Sequence, residues 1–183
     1  ARWLAERGGD PLEARQRAAR LLGVRDPASL PGRGEIIEAL AAHRRLFGGA
    51  DAARLARLRE AALAAMAHFA VFEPRLAGPV LDGTAGGDDA VELHLHTDEP
   101  EQVARLLAER GAPAREGHRT LRLADGRTAR LPCWELLADG LPFELWVLPA
   151  AAARQGPRDP LGDGPLPRAN RAAVERLLAD MAP

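Results

Sequence analysis

The chain reads as an α/β (α+β) fold: a small mixed β-sheet of about five strands, with N-terminal helices and a C-terminal helix. Three observations predict it. Apolar residues in the first 70 positions recur at spacings of three and four, the helical period. From Pro74 to Leu148 the pattern changes to short runs with strand character, clearest where Val91, Leu93 and Leu95 alternate with Glu92, His94 and His96. Asp-Gly pairs at Asp125-Gly126 and Asp139-Gly140 punctuate these runs as turns do.

In order along the chain, Asp10 and Pro11 suit a helix start and Gly23 its end. A second helix is expected from about Glu35 to Phe47, stopping at Gly48-Gly49. Asp51 opens a third, whose Leu55, Leu58, Ala62, Met66 and Phe69 form one stripe of a core helix. Arg75–Leu81 has strand character, broken by Gly78-Pro79, and a Gly-rich loop leads into the strand at 91–96. Thr97 or Asp98 starts a helix that ends at Gly111. Thr120–Ala124 and Thr128–Leu131 read as a hairpin, and Leu141–Leu148 as the last strand. Residues 149–167 read as an ordered Pro/Gly-rich tail, followed by a helix from about Arg168 or Asn170 to Met181. The expected organisation is a helical region over 1–70, a core over 71–150, and the tail with its helix over 151–183, all in one compact domain.

Composition narrows the chemistry. With 183 residues, 46% hydrophobic and 28% charged, the chain is long enough for a core without staples. One cysteine, Cys133, excludes a disulfide framework within the chain. With no long apolar run and no signal-peptide pattern at the start, the expectation is a cytoplasmic protein with no membrane partner. A net charge of −1 does not point to nucleic acid, and whether nucleic acid or protein is a partner is left open. No lysine is present, so neither a Schiff-base lysine nor a P-loop lysine is available.

The segment that carries chemistry is Gly78-Pro-Val-Leu-Asp-Gly-Thr-Ala-Gly-Gly-Asp-Asp-Ala-Val-Glu-Leu-His-Leu95. It resembles the signature of the minimal nucleotidyltransferases, in which a strand ends in Gly-Ser and the next carries two aspartates one residue apart. The resemblance covers roughly 70 to 150, and the whole chain resembles a bacterial group described as nucleotidyltransferase-like. It implies a sheet in which carboxylates at i and i+2 share a face, joined by a third on a later strand, to hold Mg2+ or Mn2+ against a nucleoside triphosphate. Gly78, Gly83 and Thr84 fall on the phosphate-binding positions. The second motif carboxylate falls on Glu92 and the third on Glu144, the implied catalytic and metal-holding pair. The first falls on Ala90 and the motif serine on Pro79, so the set is incomplete. Asp88, Asp89 and His94 are candidate replacements.

Three functions remain open on these residues. The first is a nucleotidyltransferase-fold protein that binds a nucleotide, another phosphorylated ligand or a partner, with weak or no transfer. The second is an active, metal-dependent enzyme moving a nucleoside monophosphate to a hydroxyl. The third is a non-catalytic interaction module using the open sheet face. Arg119, Arg122, Arg127 and Arg130 flank the hairpin, either as a solvated face or as an attraction for phosphate. Cys133 reads as a small strand residue. A Glu92-His94-Glu144 set for a transition metal and a solvent-facing histidine pair are the two readings of His94 and His96.

Overall fold

The alternation at 91–96 produces a strand that sits second in the sheet, beside the central one at 141–148. The computed structural model describes residues 11–26, 29–47, 51–86, 89–162 and 164–181. Helices α1 (Pro11–Leu22), α2 (Arg33–Phe47) and α3 (Asp51–His68) come first. Then follow β1 (Arg75–Ala77), the short α4 (Gly78–Asp82), β2 (Val91–His96), α5 (Glu101–Glu109), β3 (Ala114–Arg122), β4 (Thr128–Ala138), β5 (Leu141–Leu148) and α6 (Arg171–Ala179). The five strands form one mixed sheet in the order β1-β2-β5-β4-β3, in which β2 and β5 are parallel and the other neighbours antiparallel. The expected α/β architecture with helices at both ends is therefore present. Asp10, Gly48, Gly49 and Asp88 lie outside the described residues.

Side-chain alternation divides the sheet into two faces. Val91, Leu93 and Leu95 of β2 and Leu145 and Val147 of β5 point into the main core, where Leu58, Ala62 and Met66 of α3 meet them. Val103 and Leu107 of α5 and Val174 of α6 complete it. A buried leucine contributes about 1.5–3 kcal/mol by leaving water, so α3, with Leu58 fully buried, anchors this face. Phe69 belongs to the same core but lies just past the end of α3.

The opposite face carries the polar members of the same strands. It is covered at one end by a smaller cluster of Ile36 and Leu40 of α2 with Leu161 of the tail, against which Leu12 of α1 packs. Arg33, the first residue of α2, fastens this cover. Its guanidinium grips Asp159 through both Nε and Nη2, the latter at 3.0 Å, and donates from Nη1 to Asp82 at 2.9 Å. Arg33 thus links the tail, through Asp159, to α2 and, through Asp82, to α4.

Two local readings are corrected. The segment after Ala77 turns into α4 rather than extending as strand, because Gly78 adopts φ 66 and Pro79 pre-sets a first helical turn. Buried Arg59 of α3 then donates to the carbonyls of Val80 and Leu81, each at 3.2 Å, satisfying groups that so short a helix cannot. The hairpin arms are longer than expected, running 114–122 and 128–138. Pro132 interrupts the strand pattern yet is tolerated, because it stands one position beyond Cys133, the last β4 residue paired with β5. The turn at Asp139-Gly140 has φ of 51 and 73, the two left-handed residues of a tight hairpin.

Candidate functional site

The strand register sets the site. Glu92 of β2 is directly opposite Glu144 of β5, and Glu144 is opposite Glu135 of β4, so three carboxylates form a row across the polar face. One step along, His94, Trp146 and Cys133 form the next row. Above them lies a cleft of about 670 Å³ between the sheet, α2 and the tail. Gly78, Thr84, Asp89, Glu92 and Glu144 all line it, so most of the motif converges on one place. Gly83 does not line it. That residue ends α4 at φ 74, and a side chain there would meet Arg59 and Leu55.

Glu92 is held by its neighbours. Its Oε1 accepts from His94 Nε2 at 2.8 Å. A Cβ at position 78, where α4 begins at φ 66, would stand 2.9 Å from its Oε2, so any other residue there would push the carboxylate aside. His94 is fully buried and stacks on Trp146, with ring centroids 5.3 Å apart. Its Nδ1 is buried with no hydrogen-bond partner among the described residues. The expected solvent-facing position of His94 and His96 is therefore corrected: both are buried, under side chains that arrive from elsewhere in the chain.

Glu144 is committed on both oxygens. Arg119 of β3 donates from Nη2 to Oε1 at 2.9 Å and from Nε to Oε2 at 3.3 Å, and Trp146 Nε1 donates to Oε2 at 2.8 Å. The same Nη2 reaches Glu135 Oε1 at 3.0 Å, and Arg115 pairs with Glu135 from the outer side. Burial works against the Arg119 charge, but the hydrogen bonds and charge of Glu144 outweigh it, and its pKa is raised. Arg115, then Arg119, hold Glu135 below the ordinary carboxylate range. Burial raises the Cys133 thiol, which keeps it protonated and unreactive.

Asp89 accepts from the Gly86 amide through Oδ2 at 3.0 Å, so that carboxylate closes its own turn. Asp82 is pushed upward by burial, against the pull of Arg33. Among the described residues no group of three or more His, Cys, Asp or Glu side chains is arranged to hold a metal ion.

Sequence reasoning missed Arg33, Asp82, Asp159 and the specific role of Arg119. Trp146 was legible in part, since its spacing from Glu144 puts both on one face. The Arg33–Asp159 pair is 126 positions apart and has no local signal. No helix among the described residues is long and apolar enough to cross a membrane. Comparison of the chain with protein-family models, curated proteins and solved structures finds no match.

Proposed function

We propose that this chain is a nucleotidyltransferase-like protein that binds a small molecule in the cleft, with weak or no transfer activity. The observation that carries the reading is Arg119, which occupies both oxygens of Glu144 and reaches Glu135. Nucleotidyl transfer needs free carboxylates around a divalent cation. Here Ala90 offers none, Glu144 is already neutralised, and Glu92 Oε1 is engaged by His94. The donor set as it stands does not fit Mg2+ or Mn2+, and no step is derived through either ion. The cleft remains, and its volume suits a small ligand, since such sites span roughly 300–1,000 Å³.

A nucleotide or another phosphorylated molecule, the class the motif implies, is the first ligand to test. The experiment is thermal unfolding with each nucleoside triphosphate, with and without Mg2+ or Mn2+, alongside an assay for released pyrophosphate. A melting shift that does not need the metal, with no pyrophosphate, supports binding without transfer. Metal-dependent pyrophosphate release that is lost in Glu92→Gln refutes it and establishes the enzyme.

A further inference from the structure

The charges inside the cleft identify the kind of group its floor can hold. Arg33 is matched by Asp82 and Asp159, and Arg119 by Glu144 and Glu135. Neither cation has charge to spare for an anion. Glu92 is different. Its Oε1 accepts from His94, but Oε2 has no donor among the described residues, and the side chain is 16% exposed. The cleft that Glu92 lines has, besides these charged pairs, apolar lining side chains: Ile36, Ile37 and Leu40 of α2, Leu121 of β3, and Leu161 and Leu166 of the tail. The two remaining arginines that line the cleft, Arg122 and Arg158, are exposed, and Arg122 Nε donates to the Gly126 carbonyl of the hairpin turn at 3.3 Å.

A carboxylate with one uncommitted oxygen, set among apolar walls, favours a cation that can donate to it and disfavours an anion. We propose that the cleft takes a small molecule with a protonated amine and an apolar body, the ammonium donating to Glu92 Oε2 and the body lying along α2. His94 is the positioning residue: its Nε2–H fixes the carboxylate, and its stacking on Trp146 fixes the ring. The inference rests on the reading above that the cleft binds a small molecule, and puts an amine in place of the phosphorylated class at its floor. Any phosphate on the ligand would have to lie outward, toward exposed Arg158.

The test uses the full chain and simple probes of equal length: hexylamine, hexanoate and hexyl phosphate, titrated calorimetrically. The expected result is saturable binding of hexylamine at one per chain, weakened at least about tenfold in Glu92→Gln, as loss of a charge-assisted hydrogen bond implies. Hexanoate and hexyl phosphate are expected not to compete. Ile37→Trp fills the opposite wall and should abolish hexylamine binding, which keeps the test decisive if Glu92→Gln fails to fold. Absence of hexylamine binding, equal binding by Glu92→Gln, or binding of hexanoate or hexyl phosphate in its place overturns the proposal. A nucleotide-induced melting shift without hexylamine binding would sink the amine assignment alone, whereas pyrophosphate release would sink the non-transferring reading and leave the amine assignment standing.

Discussion

His96 ties the acid stability of this protein to one corner of the sheet. It ends β2 and is buried, with both ring nitrogens committed. Nδ1 lies 2.8 Å from the Glu73 carbonyl, which can only accept, so Nδ1 carries the hydrogen. Nε2 lies 2.9 Å from Arg168 Nη1, which can only donate, so Nε2 must be bare. A second proton would point one donor at another. Burial, with help from the charges of Arg168, His94 and Arg75 and against the Glu73 hydrogen bond, lowers the ring's pKa from 6.5 to about 4.

The unfolded chain therefore binds the proton that the folded chain refuses. Stability is fully present above the free-imidazole pKa and falls as pH drops toward 4. Between about pH 7.5 and pH 5 the loss from this one group is at most about 2 kcal/mol, less whatever solvent screens on the Arg168 side. Urea unfolding of the wild type and His96→Gln across that range isolates it, because other titrating groups are common to both. The glutamine variant should be less stable at neutral pH yet lose less stability on acidification. Parallel pH profiles for the two proteins would refute the assignment of a bare Nε2 facing Arg168.

Further predictions concern the side chains that build the cleft. Arg33→Met leaves Asp82 and Asp159 buried without their cation and should cost about 3–5 kcal/mol in urea unfolding, the range for a broken buried pair. Asp82→Asn should cost less than Asp159→Asn. Burial already disfavours the Asp82 charge, whereas Asp159 takes two bonds from Arg33 and one from the Leu161 amide. Gly78→Ala combines a left-handed backbone with a Cβ 2.9 Å from Glu92, and should destabilise the fold by roughly 1–3 kcal/mol while weakening whatever binds at Glu92. Arg119→Met removes the cation shared by Glu144 and Glu135, leaving Trp146 on the first and Arg115 on the second, and the Glu144 Oε1 it uncovers should give measurable Mn2+ binding where the wild type shows none, as read by the loss of free-ion paramagnetic resonance signal.

Much of this architecture is legible along the chain, because its signals are local. The stripe through Leu58, Ala62 and Met66 and the alternation through Leu93 and Leu145 fix α3, β2 and β5 by period alone. β3 is harder to see. It is an edge strand whose Glu116, His118 and Thr120 are exposed and whose opposite side carries Gly117 and Arg119, so no apolar alternation marks it. The candidate site divides in the same way. The spacing of Glu92 and Glu144 within their strands brings them to adjacent places, as their Cα register confirms. What changes their chemistry comes from far away in the chain: Arg119 reaches Glu144 across β4, and Arg168 closes over His96 from the C-terminal segment. Single-strand periodicity places a side chain on a face, but it does not say which cation will arrive there.

Titration of the wild-type protein with Mn2+, followed by the paramagnetic resonance of the free ion, bears most directly on the claim that Arg119 occupies both oxygens of Glu144 and leaves no metal site there. No stoichiometric binding is expected for the wild type, with or without a nucleoside triphosphate, beyond what the nucleotide binds alone. One tightly held Mn2+ per chain, abolished in Glu92→Gln, would contradict it.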